Sequence, residues 1–383
     1  MPSVANRPTR LALVACRRAS LVLGLCSAAV AGCQRERSTE RPPPTPAAAV
    51  SASGRPAPNG PPVRVELSRP AMGTQVQMIA YSGPRLDEAG TRVALAKAFE
   101  HMTELEQRLS EWRADSDVSR VNAAAGRPVR VGSETLVVVE RALRAGRRFD
   151  GVFDITFQGM SDLWRFGDAA EPVPKVPDPK TVAARLAKVD YRKVQVDAKS
   201  GTVRIGAEQQ IGLGGVAKGY IVDQAVAVLR AAGLRNFLVQ AGGDLYGAGT
   251  KPDGSPWVSG VQDPRGPKGK FFAVLELTDH AFSTAGDYAR AYVSGGKRYH
   301  HIIDPRTGYP ATASRSVTVW APDAITADVV DDAVFILGPE RGLPLIESMP
   351  GVGAVIVDRD NRVIVSERLR GKVRILSSPT DGL

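Results

Sequence analysis

Gly212-Leu213-Gly214-Gly215-Val216-Ala217-Lys218-Gly219 leads directly into residues 219–232, where Val222, Ala225, Val226 and Leu229 recur at helical spacing ahead of Gly233. Glycines let a backbone approach a ligand closely. A helix start presents unpaired N–H groups and a positive dipole end. With Lys218 as a point charge, the stretch suits a pyrophosphate. It also fits G-x-G-x-x-A, the pattern of dinucleotide-binding turns. Yet the strand expected next, over 236–241, holds Gln240 where a ribose-binding acid is wanted. A Walker A loop is excluded, because Ala217 precedes the lysine and no Ser or Thr follows it. A tight strand-to-helix turn without a ligand is the remaining alternative.

Outward from this passage, the spacing predicts strands over 63–67 and 75–79, flanking the turn Met72-Gly73-Thr74. Helices are expected over 85–109 and 135–149, and short strands over 201–205 and 210–213. Further strands fall at 272–277, 299–303, 316–320 and 352–358, with helices over 326–337 and 340–349. Strands and helices do not alternate strictly, and no repeat or Pro/Gly-rich linker interrupts residues 63–383. One compact α+β body is the expected architecture.

The 383-residue chain is 43% hydrophobic and 23% charged. That balance excludes wholesale disorder, a collagen and a polytopic membrane protein. The formal charge is +10, and it falls to +6 once Arg7, Arg10, Arg17 and Arg18 are set aside. No Lys/Arg block is interleaved with aromatics, so no nucleic-acid partner is expected.

Residues 1–32 read as a lipoprotein signal peptide. A basic n-region precedes an apolar run over 19–32, too short to span a bilayer. Ala31-Gly32-Cys33 resembles a bacterial lipobox, which implies cleavage before Cys33 and lipidation of its thiol. An ordinary signal peptide is the alternative. Cys16 and Cys26 lie inside the leader, so the mature chain is expected to hold no disulfide and no thiolate metal site. Residues 33–62 carry Pro42, Pro43, Pro44, Pro46, Pro56, Pro58, Pro61 and Pro62. They read as a lipidated, disordered tether with a reach of roughly 30 Å. The expected location is the periplasmic side of a bacterial membrane, taken as the inner one.

Three further clusters look chemical. Gln240-Ala241-Gly242-Gly243-Asp244 ends a strand in a glycine pair and an acid, and reads first as a turn with Asp244 capping its own backbone. His300-His301-Ile302-Ile303-Asp304-Pro305-Arg306-Thr307-Gly308 holds two of the four histidines beside a turn. Either imidazole suits a base, an orienter or a purely structural partner. In Ala327-Asp328-Val329-Val330-Asp331-Asp332, Asp328 and Asp332 stand four apart on one helix face. Like charges there repel unless a hard cation such as Mg²⁺ joins them. Acids favoured near a helix start are the alternative.

Together these motifs resemble the ApbE family of FAD:protein FMN transferases. The resemblance runs through Met72-Gly73-Thr74, Asp115-Ser116-Asp117-Val118-Ser119-Arg120-Val121-Asn122, Gly151-Val152-Phe153-Asp154-Ile155-Thr156, Leu213 to Tyr220, Gly242-Gly243-Asp244, Thr284-Ala285-Gly286-Asp287, His301 to Gly308 and Ala327-Asp328. It covers about residues 65 to 365. It implies a T-fold-like α+β enzyme that binds FAD as substrate with Mg²⁺, releases AMP and joins FMN to a Thr or Ser hydroxyl through a phosphoester. The implied acceptors are flavin-carrying subunits of membrane redox complexes of the Nqr and Rnf kind.

Carried over by position, the resemblance implies metal contacts at the Ala217 carbonyl, Asp328 and Asp332, with Asp331 close by. It implies flavin or pyrophosphate contacts at Met72, Trp112, Val152, Phe153, Asp154, Gly214, Gly215, Lys218 and Ile303. His301 and Asp304 fall near the acceptor hydroxyl as catalytic candidates. Three positions depart from the pattern: Asp332 stands where Thr is usual, Gly212 where an acid is common, and Ala285 where Ser is usual. An FAD pyrophosphatase and a non-catalytic FAD-binding lipoprotein are the rival functions.

Overall fold

An eight-stranded antiparallel sheet organises the chain, in the order β1-β2-β6-β7-β10-β15-β16-β17. The computed structural model describes residues 60–166 and 175–382, all within one unit, Arg55–Leu383. The signal peptide, Cys33 and all but residues 60–62 of the tether lie outside the described residues.

The chain opens with β1 (Arg64–Ala71), β2 (Thr74–Tyr81), α1 (Glu88–Leu109), α2 (Asp117–Ala123), β3 (Val129–Arg130) and α3 (Ser133–Arg148). After α4 (Pro179–Leu186), β4 (Gln195–Asp197) and β5 (Thr202–Arg204) come α5 (Ala217–Ala231), β6 (Phe237–Ala241), β7 (Asp244–Ala248) and β8 (Trp257–Gln262). Then follow β9 (Phe271–Leu277), β10 (His280–Gly286), β11 (Ala291–Ser294), β12 (Lys297–His300), β13 (Ile303–Asp304), β14 (Tyr309–Pro310) and β15 (Ser314–Ala321). The last elements are α6 (Ala324–Glu347), β16 (Gly353–Asp358), β17 (Val363–Val365) and β18 (Val373–Ile375).

Period-two alternation splits the sheet residues between two cores. Val239, Ala281, Val317, Val319 and Ile356 face the core shared with α1, α5 and α6. Phe282, Trp320, Val355 and Val357 face a second core, closed by the small sheet β18-β9-β8 through Trp257, Phe272 and Leu275. The body is therefore layered as helices, large sheet and small sheet.

Most expected elements form, with shifted ends. α1 starts at Glu88 because Asp87 caps it, its side chain accepting from Gly90 N at 2.7 Å. α6 bends at Gly338 (φ 71°), followed by Pro339, which is the break expected between 337 and 340.

Two expectations fail. Residues 210–213 form no strand. The Asn122 amide instead brackets Ile211, accepting its N–H at 2.8 Å and donating to its carbonyl at 2.9 Å. The 299–303 strand divides into β12 and β13, because Ile302 N turns back to the His300 ring at 3.3 Å.

The carboxyl-terminal residues fold back onto the small sheet. Asp263, at the end of β8, accepts from Thr380 Oγ1 at 2.7 Å and from Thr380 N at 3.1 Å. Arg265 donates to the Gly382 carbonyl and makes a buried bidentate pair with Asp287, at 2.6 and 2.8 Å. No described helix is long and apolar enough to cross a membrane.

Candidate active site

α5 begins without a side-chain cap of its own: Val216 occupies the cap position and makes no such bond. The Ala217 N–H goes instead to the Leu213 carbonyl at 2.8 Å, and the positive end of the helix dipole favours an anion. Asp328, arriving from α6, accepts the Gly219 N–H at 2.9 Å. The two helices meet closely enough that a Cβ on Gly219 would collide with the Ala324 carbonyl oxygen and stand 2.8 Å from Asp328 Cβ. Glycine here is required by packing.

Lys218 is the cation of this junction. Its ammonium donates to Asp244 and, at 3.4 Å, to Asp328 Oδ1. Burial opposes the ammonium charge, but Asp244 and Asp328 outweigh it and push the Lys218 pKa up. Ser283 links Asp244 to Asp331, the latter at 2.6 Å. One hydroxyl has one proton to give, so two charged carboxylates cannot both accept it. Burial, with Asp332, Asp328 and Asp244 nearby, pushes Asp331 well up, and its protonated carboxyl satisfies the count.

Asp332 makes no hydrogen bond among the described residues. Its Oδ2 lies 2.8 Å from where a Cβ on Gly215 would stand. Burial and then neighbouring charge raise Asp328 to about 6 and Asp332 to about 7. Four aspartates, Asp331 among them as the neutral acid, thus gather around one ammonium. The deficit of positive charge and the all-oxygen donor set fit a hard divalent cation. Among the described residues, no three His, Cys, Asp or Glu side chains form a group able to hold a metal ion by themselves. A cation here would need further ligands from backbone carbonyls, such as that of Ala217, and from a bound ligand.

Of the other positions, Phe153 reaches the glycine loop. Met72 (φ 53°) and Gly73 (φ 65°) form the two-residue turn between β1 and β2. A methionine held at positive φ stores local strain, and Glu106 Oε1 steadies it by accepting Met72 N–H at 2.9 Å. Phe153 packs its ring on Gly215, 3.3 Å from a Cβ position there. Val152, beside Phe153 in the chain, and Ile303 are buried, while Trp112 stands 82% exposed.

Asp154 turns away into structure. Its Oδ1 accepts from Thr156 N and Oγ1, and its Oδ2 from Tyr191 N. Asp304 is likewise occupied, accepting from Arg306 N, Nε and Nη2 at 2.9, 2.8 and 2.7 Å. His301 is exposed and follows β12, its backbone N–H given to the Arg290 carbonyl at 3.2 Å. Desolvation by packed protein, with His300 and Arg290 close, lowers its pKa. The imidazole is therefore neutral at pH 7. His300 is buried, bonded to the Ala311 carbonyl at 2.8 Å and set edge-on to Phe335.

Sequence reasoning missed four residues. Asp244 does not cap its own turn, because it is fully buried against Lys218 and Ser283. Ser283 carried no motif signal. Glu111 hangs on the glycine loop, accepting Leu213 N–H at 3.3 Å, and burial raises its pKa. Gln158 fills the space that glycine leaves at 212, its Oε1 2.5 Å from a Cβ position there.

A glycine loop at a helix start, one lysine and an aspartate cluster form an arrangement suited to a phosphate-bearing ligand and a cation. The chain belongs to the ApbE family, whose sequence profile matches residues 72–356, and it is an enzyme of the FAD:protein FMN transferase class. The FAD:protein FMN transferase of Treponema pallidum is 34% identical over 332 residues, covering 82% of this chain and 89% of that protein. The Vibrio cholerae FAD:protein FMN transferase is 31% identical over 300 residues, covering 78% and 89%. Among solved structures, the ApbE protein of Thermotoga maritima superposes with a TM-score of 0.74 at 32% identity, over 82% of this chain and 100% of that one. The flavinyl transferase ApbE of Pseudomonas stutzeri, in its apo form, gives 0.72 at 28%, over 82% and 98%.

Proposed function

We propose that the chain transfers FMN from FAD to a Thr or Ser hydroxyl of an acceptor protein, releasing AMP. The observation that carries this reading is the junction of the glycine loop, Lys218 and the aspartates of α6. It offers a place for a cation between a pyrophosphate and the protein's aspartates, with Lys218 offsetting part of their charge. When bound at Asp328, Asp332 and the Ala217 carbonyl, Mg²⁺ supplies charge neutralisation to the anhydride.

The chain's own residues do the rest. Gly214 and Gly215 let the phosphates approach the backbone, and the positive dipole end of α5 favours their charge. Lys218 holds Asp244 and Asp328 apart from each other's charge. Trp112 and Phe153 give the isoalloxazine flat apolar surfaces, and Met72, Val152 and Ile303 complete its surroundings. Neutral His301 takes the proton of the acceptor hydroxyl as its oxygen attacks the phosphorus on the FMN side. The anhydride P–O bond breaks and AMP departs with the electron pair. Asp304, tied to Arg306, holds the turn after His301 in shape.

The leader reading adds the setting. Cys33 carries the lipid, residues 33–62 form the tether, and the enzyme works on the periplasmic face of the inner membrane on Nqr- or Rnf-like subunits. Incubation with FAD, Mg²⁺ and candidate acceptor domains, followed by intact-mass analysis, tests the reaction. One FMN added per acceptor is expected. AMP release with no labelled acceptor would replace transfer by hydrolysis.

A further inference from the structure

β11 and β12 form a two-stranded ribbon separate from the large sheet. Gly295 (φ 57°) and Gly296 (φ 71°) make its two-residue turn. Ser294 pairs with Lys297, Val293 with Arg298, Tyr292 with Tyr299 and Ala291 with His300. The pair flanking a two-residue turn is hydrogen-bonded, and bonded and non-bonded pairs then alternate. Ala291 and Val293 therefore point their N–H and C=O groups to the outer edge of β11. Among the described residues no strand pairs with that edge.

The ribbon stands on a stack of rings. Tyr292 and Tyr299 lie 5.3 Å apart, Tyr292 and Phe166 5.9 Å, and Phe166 and Trp164 6.1 Å, all stacked. Trp164 also anchors the turn after His301, donating Nε1–H to the Gly308 carbonyl at 3.0 Å. This packing uses one face, and among the described residues nothing pairs with the β11 edge, where Val293 is 45% exposed. Residues 288–301 carry Arg290, Lys297 and Arg298 and no acid. The base of the ribbon is bonded to His301 through the Arg290 carbonyl.

We propose that the outer edge of β11 is the docking strand for the acceptor, pairing with an extended acidic segment that carries the target hydroxyl. This rests on the transfer reaction proposed above. A strand laid along Val293 and Ala291 leaves the ribbon at its base, beside His301. Backbone pairing supplies the fit without demanding one sequence, and the basic ribbon selects acidic flanks.

Transfer kinetics on the full chain test it, with the acceptor domain of the transfer assay as varied substrate. Val293→Pro removes an edge donor, Val293→Thr keeps it, and Lys297→Glu reverses a charge. Val293→Pro and Lys297→Glu should each raise the acceptor KM by roughly fivefold or more, with the FAD KM unchanged and Val293→Thr like wild type. A short peptide with its threonine between aspartates should compete, and the same peptide with lysines should not. Acceptor domain should also slow amide exchange at Ala291 and Val293.

Unchanged acceptor KM in both variants, equal competition by the lysine peptide, or unslowed exchange overturns the proposal. If Val293→Pro fails to bind FAD, Lys297→Glu and the exchange data decide. If wild type transfers no FMN to any acceptor, the reaction reading falls instead, and exchange still reports on docking.

Discussion

Gly219 shows how much of the site depends on one missing methyl group. A Cβ there meets the backbone of α6, which cannot yield as a side-chain tip would. Gly219→Ala should lower stability by more than the roughly 1–3 kcal/mol of ordinary overpacking and abolish FAD binding, as read by thermal melts and flavin fluorescence. Lys218→Met should act differently. It leaves Asp244 and Asp328 without their shared cation, at a cost of roughly 1–3 kcal/mol after allowance for the half-open lysine. Because protonation of Asp328, whose pKa is raised to about 6, relieves this, the loss should shrink between pH 8 and pH 5. A loss that is flat with pH would exclude an electrostatic origin. Asp328→Ala should end transfer at any Mg²⁺ concentration, whereas Asp332→Thr should keep substantial transfer at a raised metal requirement. Full activity of Asp328→Ala under excess chelator would remove the metal from the reaction.

The junction of α5 and α6 is the element on which the site turns, and Asp223 secures it. From α5 it accepts the Ala324 and Ile325 N–H groups at 2.8 and 3.0 Å, the opening turn of α6. Asp223→Ala should cost about 1–2 kcal/mol, the worth of a strong helix cap, and should weaken Mg²⁺-dependent transfer because α6 carries Asp328 and Asp332. A melt unchanged from wild type would show that Asp323, whose side chain accepts the Thr326 N–H at 2.8 Å, caps the helix sufficiently alone.

The legibility of the chain divides at this scale. α5, its glycine loop and the i,i+4 aspartates of α6 were readable, since each signal sits within a few neighbouring residues. Asp244, Ser283 and Asp223 were not, since their partners are 26, 48 and about 101 residues away. Local sequence carries spacing, but it does not carry which distant strand comes alongside. The absent strand over 210–213 teaches the same lesson, because Asn122, 89 residues away, took the place of a ladder neighbour.

Over the whole molecule, buried acids set the pH response. Asp328 at about 6, and Asp332 and Asp223 at about 7, lie above the ordinary carboxylate value of 3.8. The folded chain thus binds more protons than the unfolded chain across this interval. Its stability from these groups is complete below about pH 4 and is lost as pH rises through 6 to 7. Metal-free protein should melt at lower temperature at pH 8 than at pH 5, and Mg²⁺ should raise the melting point more at pH 8. Equal effects of Mg²⁺ at both values would separate the cation from these aspartates.

The fastening of the carboxyl terminus has a practical consequence for anyone producing this enzyme. Asp263 grips Thr380, Arg265 reaches Gly382, and the same guanidinium holds Asp287 at the end of β10, three residues before Arg290. An affinity handle fused after Leu383 would start inside this clasp, and a stop codon at Pro379 would undo it. Either change should lower yield or loosen the approach to His301. A handle placed ahead of Val63, far along the chain from the clasp, should leave both intact.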